Sequence, residues 1–290
     1  MKLKLVIPKG SLEAATIDIF KKAGFNIIVR GRSYFPLIDD EEISVGLLRA
    51  QDISRFVEEG VFDCGITGSD WTKENNSKVI KVTDLVYSKQ SLGGVRWVLA
   101  VPDSSSIKRV GDLKGKRIAT ELVNVTRKYL RKNKVNAKVE FSWGATEAKL
   151  CSKLIDAIVE LTETGRSLKE QNLRIVDTVY ESSTQLIANK ESWKNKKIRK
   201  KIENISLLLK GAILAGGKVG LKMNVLEKNL NKVISILPAM KKPTVSSLFQ
   251  TGWFDVDTII DEKIVRILIP KLKEAGAQGI VEYPLNKVIP

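Results

Sequence analysis

Short apolar runs alternate with amphipathic helical patterns along the amino-terminal part of this sequence, and small or polar residues separate them. Residues 2–7 predict a strand, residues 8–10 a tight loop, and Ser11 the N-cap of a helix whose apolar residues share one face. Strands are predicted again over residues 45–48 and 62–67, with a helix between them. This alternation predicts a parallel sheet covered by helices, and such sheets bind ligands outside the carboxyl ends of their strands.

A second α/β lobe is predicted after Gly93 and Gly94, which we interpret as a hinge. Its predicted strands cover residues 116–120, 138–141 and 157–161. Each strand ends in a loop that precedes a helix. The loops that begin at Glu121, Ser142 and Thr162 should therefore line one cleft that faces the first lobe.

These patterns divide the chain into three parts. Lobe I is predicted to comprise residues 1–94 and 178–208, and lobe II residues 95–177. From Gly211 onwards the order strand, helix, strand, strand, helix, strand predicts a ferredoxin-like domain over residues 211–290. The predicted fold class is α/β, with a two-lobed core like that of periplasmic binding proteins and a C-terminal ferredoxin-like domain.

The last predicted strand of lobe II leads into the candidate chemistry. Glu160 stands at its carboxyl end, and residues 162–167 form a loop of Thr, Glu, Gly, Arg and Ser. Ser167 and Glu170 have the spacing of a capping box, which predicts that a helix begins here. Free backbone N–H groups, the helix dipole and three hydroxyls would surround a phosphate, and Gly165 would let the backbone come close. A carboxylate at position 160 suits two neighbouring sugar hydroxyls, so the segment predicts a pocket for a ribose 5-phosphate.

The composition narrows the chemistry that is available. A formal net charge of +16 favours anionic partners. The densest basic run, residues 194–201, has no interleaved aromatic residues, so a solvated helix face is favoured over a nucleic-acid surface. The sequence contains no histidine. This excludes a Ser-His-Asp triad, a Cys-His pair and any His-ligated metal, and leaves carboxylates, Lys, Arg, Tyr and bound ions.

The compartment is predicted from the cysteines and the apolar runs. Cys64 and Cys151 are the only cysteines, and we interpret them as buried, reduced thiols. The amino terminus has no uninterrupted apolar run of the kind a signal peptide needs, and no stretch approaches the roughly 20 apolar residues of a membrane span. A cytoplasmic protein without a membrane partner is predicted.

An ordered set of short segments resembles ATP phosphoribosyltransferase, the first enzyme of histidine biosynthesis. The loop at residues 160–167 looks like the phosphoribosyl-diphosphate loop of that family. Six further segments carry the likeness: residues 8–10, 48–53, 63–68, 144–147, 243–246 and 276–280. A Thr-Glu-Thr-Gly loop alone is a weak signal, but the ordered set covers nearly the whole chain. The resemblance is to the long form of the family, which carries a regulatory domain.

The resemblance implies a glycosyl transfer in which the phosphoribosyl group of phosphoribosyl diphosphate moves to N1 of the adenine of ATP and diphosphate leaves. It implies Mg²⁺ as the cofactor, bound through the substrate phosphates, with Glu163 and Asp70 as available carboxylates and no protein ligand assigned. The phosphoribosyl-diphosphate contacts are predicted to be Glu160, Thr162, Glu163, Thr164, Gly165, Arg166 and Ser167. The contacts to ATP or diphosphate are predicted to be Lys9, Gly10, Arg49, Gly68, Asp70 and Arg96.

Feedback regulation is also implied by the resemblance, because the C-terminal domain of this family binds histidine between subunits of a hexamer. By position, this role would fall on Asn224, Thr244, Ser246 and Ala277, for which turn and packing roles remain an alternative. A homo-oligomer, either dimer or hexamer, is predicted.

Two points leave alternatives open. Many phosphoribosyltransferases place two adjacent acidic residues before the loop, whereas here Leu161 follows Glu160, so Glu163 would have to assist or one carboxylate would suffice. Two α/β lobes joined by a hinge also describe binding proteins and sensor domains. A two-lobed small-anion binding or sensor protein without catalytic activity is therefore the alternative function, and a nucleic-acid-binding protein is a more distant one.

Overall fold

The computed structural model describes residues 2–31, 33–87, 94–144, 146–151, 154–238, 242–249 and 251–289. The chain forms two compact units, Met1–Ser206 and Leu207–Pro290. Gly93 of the predicted hinge lies outside the described residues, as does the side chain of Cys151. Cys64 is a buried free thiol, as its sequence context predicted. Within the described ranges, every helix is too short or too polar to traverse a lipid bilayer.

The first sheet of the larger unit is built mainly from the amino-terminal part of the chain. Its elements are β1 (Leu3–Lys9), α1 (Glu13–Ala23), the ribbon of β2 (Ile27–Ile28) and β3 (Leu37–Ile38), β4 (Ile43–Arg49), α2 (Ala50–Glu58), β5 (Cys64–Gly68), α3 (Ser69–Glu74), β6 (Ile80–Asp84) and, from later in the chain, β12 (Thr184–Ala188). The strand order is β4-β1-β5-β12-β6. β1 runs parallel to β4 and β5, but β12 is antiparallel to both of its neighbours. The sheet is therefore mixed, not wholly parallel as the alternating pattern predicted.

The second sheet lies in the same unit. It comprises β7 (Val95–Pro102), β8 (Arg117–Thr120), α4 (Val123–Lys132), β9 (Lys138–Phe141), α5 (Thr146–Cys151), β10 (Ala157–Thr162), α6 (Arg166–Glu170) and β11 (Leu173–Ser182). The order is β11-β7-β10-β8-β9, with β8, β9 and β10 parallel and β7 antiparallel to β10 and β11. Residues 178–182, which the sequence assigned to lobe I, pair with β7 in this sheet, so the chain crosses back to the first sheet at Ser183.

Helix α3 follows a strand of the first sheet but contacts the second. The carboxylate of Glu74, at its carboxyl end, accepts hydrogen bonds from the backbone N–H groups of Asn124 and Val125, each at 2.9 Å. These amides belong to the first turn of α4, where no intrahelical acceptor exists, so the buried Glu74 satisfies them. The contact fixes α3 against the second sheet.

The basic segment at residues 194–201 lies at the end of α7 (Lys190–Lys194) and the start of α8 (Lys196–Ala215). Lys194, Lys196 and Lys197 are exposed, while Ile198 is buried on the opposite side. This is the solvated helix face that the sequence pattern predicted. At the start of α1, by contrast, Leu12 and not Ser11 occupies the N-cap position, and no side chain caps the helix.

The smaller unit has the predicted order strand, helix, strand, strand, helix, strand. Its elements are β13 (Lys218–Leu226), α9 (Glu227–Ile236), β14 (Thr244–Ser247), β15 (Trp253–Asp261), α10 (Glu262–Glu274) and β16 (Ala277–Pro284). The antiparallel sheet has the order β14-β15-β13-β16, which is the ferredoxin-like arrangement. Leu221, Met223 and Val225 alternate along β13 and form its core with Val256 and Leu272, because one face of the sheet is covered by the helices.

Candidate active site

A cavity of about 800 Å³ opens where strands of both sheets end in the larger unit. Parallel strands present their carboxyl ends at one edge, so the loops after β1, β4 and β5 lie together there. The candidate residues that line the cavity are Lys9, Gly10, Arg49, Gly68, Asp70, Glu160 and Glu163. Ligand pockets commonly have volumes of about 300–1,000 Å³, so the cavity is large enough for a nucleotide-sized molecule.

Two cations of the first sheet reach the cavity over aromatic rings. The ammonium of Lys9 lies 3.9 Å from the ring centroid of Tyr34, and the guanidinium of Arg49 lies 4.9 Å from that of Trp143. Trp143 comes from the loop after β9, so the second contact joins the two sheets. These rings hold the charged groups at the cavity without neutralising them, which leaves both available to an anion.

Asp70 is the most buried ionisable group at the cavity, with 3% of its surface exposed. Its Oδ1 accepts the backbone N–H of Trp71 at 2.9 Å, and its Oδ2 accepts the indole N–H of Trp97 at 2.7 Å. Burial raises the pKa of Asp70, and the hydrogen bonds offset part of that rise. A methyl group at Gly68 would overlap Oδ1 and lie 3.1 Å from the Asp70 Cγ, so the carboxylate depends on a glycine here.

Glu121 follows β8 and is half-buried in the cavity wall. Burial raises its pKa, while hydrogen bonds from the Gln51 side chain and the Gly144 backbone and the charge of Arg49 lower it; the charge of Asp70 raises it further. Gln51 belongs to helix α2, which follows β4 of the first sheet, and Gly144 belongs to the loop after β9, so Glu121 connects three segments at the cavity. The sequence predicted a cleft loop beginning at Glu121 but gave its side chain no role.

The loop after β10 is held by its own hydroxyls. Thr162 Oγ1 accepts the backbone N–H of Gly165 at 2.7 Å, and Thr164 Oγ1 accepts that of Arg166 at 3.4 Å. Gly165 has a φ of 80°, a left-handed conformation that glycine adopts without strain, and it occupies the N-cap of α6. The predicted capping box is therefore wrong. In the structure Glu170 pairs with Arg166 at 3.0 Å instead of reaching back to the N-cap.

The structure separates the predicted loop residues into two groups. Glu160 and Glu163 line the cavity, whereas Thr162, Thr164, Gly165, Arg166 and Ser167 are not among its lining residues. Thr162 is buried, but Thr164, Arg166 and Ser167 are exposed beside the opening. In the described part of the loop, the backbone N–H groups of Ser167 and Leu168 have no hydrogen-bond acceptor. An anion at this loop would therefore meet unpaired amides.

The balance of charge at the cavity differs from the sequence prediction, which placed four cations on its walls. Arg96 lies on β7 opposite Thr162, and Arg166 pairs with Glu170, so neither lines the cavity. Among the described lining residues, two cations, Lys9 and Arg49, oppose five carboxylates: Asp52, Asp70, Glu121, Glu160 and Glu163. The surplus of basic residues in the sequence is not concentrated here.

Several cavity residues carried no sequence signal. Trp97 sits in an apolar run that predicts only a buried strand, and nothing local shows that its N–H reaches residue 70. Ser182, whose hydroxyl accepts the backbone N–H of Asp70 at 3.2 Å, is likewise separated from it by 112 positions. Nothing in the sequence places the rings of Tyr34 and Trp143 against Lys9 and Arg49, and both rings are exposed in the structure.

In the smaller unit, three of the four predicted regulatory residues lie around one carboxylate. Asn224 on β13 and Ser246 on β14 both pair in register with Asp255 on β15. Thr244 pairs with Asp257, the next residue of β15 on the same face of the sheet. Asp255 Oδ2 forms an ion pair with Lys222 at 3.0 Å, and its buried Oδ1 has no partner among the described residues. Ala277 pairs with Val225 and is only 1% exposed in the core, so its side chain does not join this group.

Comparisons with known proteins agree with the sequence resemblance. A family model described as ATP phosphoribosyltransferase (HisG) matches residues 49–211, and one described as HisG, C-terminal domain matches residues 215–287. ATP phosphoribosyltransferase of Solibacter usitatus is 59% identical over 289 residues and that of Chlorobaculum parvum 58% over 287 residues. The alignments cover 100% and 99% of this chain, and 100% and 97% of the relatives.

Solved structures support the same assignment. The ATP phosphoribosyl transferase (HisG:HisZ) complex from Thermotoga maritima contains a chain that is 31% identical, with a TM-score of 0.61, over 72% of this chain and 98% of that one. A substrate binding protein of an amino acid ABC transporter has a TM-score of 0.50 at 17% identity, over 74% of this chain and 95% of its own. This similarity concerns the fold alone, and it confirms the predicted binding-protein-like fold. On the strength of the two family models and of relatives matched along its whole length, this chain belongs to the ATP phosphoribosyltransferase family.

Proposed function

We propose that the cavity of the larger unit joins ATP and 5-phosphoribosyl 1-diphosphate, giving N1-(5-phosphoribosyl)-ATP and diphosphate in the first step of histidine biosynthesis. The observation that carries this proposal is that Glu160 and Glu163, from the loop resembling a phosphoribosyl-diphosphate site, line the same cavity as Lys9, Arg49 and Asp70. Family membership supports the reaction, and the shared cavity supports these residues as its site.

The reaction suits a site without histidine. N1 of adenine already carries a lone pair, so no strong base is needed. The barrier lies in separating diphosphate from a sugar that becomes oxocarbenium-like, and fixed charges with good orientation lower it. Glu160 at the end of β10 would accept hydrogen bonds from the ribose hydroxyls and place a negative charge beside the developing cation.

The 5-phosphate is assigned to the outer part of the loop, at Thr164, Gly165, Arg166 and Ser167. Its support is the pair of unpaired amides at Ser167 and Leu168 and the exposed hydroxyls beside them. Helix α6 has only five residues, so local N–H groups and not a long helix dipole would supply most of the attraction. Thr162 contributes by holding the bend at Gly165, because its hydroxyl is already engaged there.

ATP and the leaving diphosphate are assigned to the opposite wall, at Lys9, Gly10, Arg49, Gly68 and Asp70. Lys9 and Arg49 are the cations among the described residues of this wall, and a phosphate chain could replace the aromatic rings as their partner. Arg96 is retained in the proposal only as a neighbour of the loop after β10, because it pairs in register with Thr162.

Magnesium fits the charge of this cavity. Two polyanionic substrates would enter a site whose described lining already has more carboxylates than cations, so a divalent ion on the phosphates offsets repulsion. Glu163 lines the cavity and is the better candidate for an outer contact, since both oxygens of Asp70 accept N–H groups. When bound, the ion supplies charge neutralisation to the departing diphosphate.

The smaller unit is assigned to feedback inhibition by histidine, in a homo-oligomer of two or six subunits. Asn224, Thr244 and Ser246 lie beside Asp255 on the sheet face opposite the helices, and a buried carboxylate oxygen without a partner suits a cationic ligand. Ala277 could take part only through its backbone, because its side chain is buried.

One assay tests the whole proposal. The full chain is incubated with ATP, phosphoribosyl diphosphate and magnesium, the absorbance of the N1-substituted adenine is followed, and histidine is then added. We expect product that depends on both substrates and on magnesium, and a lower rate with histidine. Binding of either substrate without product in the same preparation would favour the binding or sensor alternative.

A further inference from the structure

One buried hydrogen bond joins the two sheets at the wall of the cavity. Trp97 lies on β7 of the second sheet, and its indole N–H donates to Oδ2 of Asp70, in the first turn of α3, at 2.7 Å. Trp97 is 2% exposed and Asp70 is 3% exposed, so water competes little for either group. The indole N–H of Trp97 and the carboxylate of Asp70 therefore form a buried hydrogen bond with little competition from solvent.

The tryptophan ring is itself held in place. The ring of Trp71 meets that of Trp97 edge-on, with centroids 5.9 Å apart. Trp97 also belongs to an apolar cluster with Leu99, Leu122 and Val159. Because such a ring cannot turn without displacing its neighbours, the N–H direction is fixed before any ligand arrives.

The other hydrogen-bond donors to the carboxylate in the described structure are uncharged. Its Oδ1 packs against Gly68 and accepts the N–H of Trp71, and the hydroxyl of Ser182 lies beside it. No cation forms an ion pair with Asp70 among the described residues. The indole N–H is thus the one side-chain nitrogen donor that reaches Oδ2 in the described structure.

We propose that Trp97 is a positioning residue for the reaction, and that its indole N–H orients the Asp70 carboxylate toward ATP. The proposal rests on the proposed function, in which Asp70 contacts ATP. It adds a role for a residue to which the sequence analysis assigned none.

The groups around Asp70 define the pH response. Burial raises the pKa of Asp70 and the hydrogen bond from Trp97 lowers it, so loss of that bond raises the pKa further. Glu121 faces Asp70 with a charge of the same sign, and Arg49 lies beside Glu121. Tyr180 from β11 reaches only the neighbouring Ser69, at 3.2 Å. As the pH falls, Asp70 becomes protonated, and without the indole N–H this occurs at higher pH.

Trp97→Phe tests the proposal because it keeps most of the ring and removes the N–H. The full-length variant is assayed from about pH 5.5 to 9 with each substrate varied in turn. We expect kcat/KM for ATP to fall on the order of tenfold near neutral pH, with the acid limb of its profile shifted to higher pH. The kcat/KM for phosphoribosyl diphosphate should change much less. Trp193→Phe, on α7 next to Arg199, is the matched control and should behave as the wild type.

A double-mutant cycle separates positioning from packing. If Trp97 acts through Asp70, Trp97→Phe should have little further effect on kcat/KM for ATP in an Asp70→Asn background. Additive losses, equal losses for both substrates, or an unchanged acid limb would overturn the proposal. If the phenylalanine variant does not fold, a tryptophan isostere with sulfur in place of the indole N–H supplies the same comparison. An inactive wild type would instead contradict the proposed function itself.

Discussion

Two strand-to-helix junctions lie at the cavity, and they are held in opposite ways. The junction after β5 is buried and tied to distant segments: Ser69 donates its backbone N–H to the Ser183 carbonyl at 2.9 Å, and Asp70 accepts from Trp97. The junction after β10 is more exposed, and its bend is held by a local hydrogen bond from the Gly165 N–H to Thr162 Oγ1. The first fixes one charged group in a chosen orientation. The second leaves amides unpaired, which suits it to receive a ligand that brings its own charge.

Gly68→Ala should reduce activity and stability most, because the new methyl group lies inside the buried junction after β5. The new methyl would overlap the Asp70 carboxylate, and overpacking of a buried site costs about 1–3 kcal/mol of stability. We expect kcat/KM for ATP to fall by on the order of 100-fold as Asp70 is displaced. Steady-state kinetics and thermal melting measure the two effects. Gly111→Ala, where a methyl would meet no atom within 4 Å, is the control.

Glu160→Ala probes the β10 side of the cavity and should rank second. If Glu160 holds the ribose, kcat/KM for phosphoribosyl diphosphate should fall by roughly 10–100-fold, since hydrogen bonds to a charged group are lost. The KM for ATP should change little. Glu191→Ala removes an exposed carboxylate on α7, outside the cavity lining, and serves as the control. Unchanged dependence on phosphoribosyl diphosphate would rule out the ribose role.

Gly165→Ala tests whether the exposed junction needs its left-handed bend. An alanine at φ 80° is strained by about 1–2 kcal/mol, so the bend should distort and raise the KM for phosphoribosyl diphosphate about fivefold to tenfold. Gly115→Ala is a close match, with a φ of 75° and no atom within 4 Å of the new methyl, and it lies outside the cavity lining. If both variants shift the KM equally, the loop assignment is wrong.

Thr162→Val should change the kinetics least, and it tests whether the local hydrogen bond shapes the junction after β10. The substitution keeps the shape of the side chain but removes the hydroxyl that accepts the Gly165 N–H, a bond worth about 1 kcal/mol. We expect the KM for phosphoribosyl diphosphate to rise a few-fold, with kcat nearly unchanged. Thr178→Val, on β11 and outside the cavity lining, is the control. A fall in kcat at constant KM would show that Thr162 has some role other than shaping the loop.

Local patterns explain what the sequence could predict. The strand, helix and loop order of both units follows from the period of apolar residues, and the strand ends place Lys9, Arg49 and Asp70 at one cavity. The predicted capping box failed because the helix begins earlier than expected, with Gly165 and not Ser167 at its N-cap, and because Glu170 forms an ion pair with Arg166.

The features of the site that the sequence could not predict depend on contacts between distant segments. Trp97 and Asp70 lie 27 positions apart on different sheets, and their bond depends on how those sheets meet. The position of Arg166 is a similar case, since a cation in a cleft-forming loop can point outward as easily as inward. In the structure it points to Glu170, with 85% of its side chain exposed.

The attachment of Glu74 to the start of α4 has a mechanical consequence. Glu74 and Asp70 both attach α3 to elements of the second sheet through hydrogen bonds. On this buried side of the cavity, the two sheets should therefore resist separation. On the other side, the described contacts between the sheets are less buried: Arg49 stacks on the exposed Trp143, a contact of about 0.5–1 kcal/mol, and Gln51 donates a hydrogen bond to the half-buried Glu121. We therefore expect the two sheets to separate most readily at the Arg49 edge of the cavity, and a bulky nucleotide to enter there.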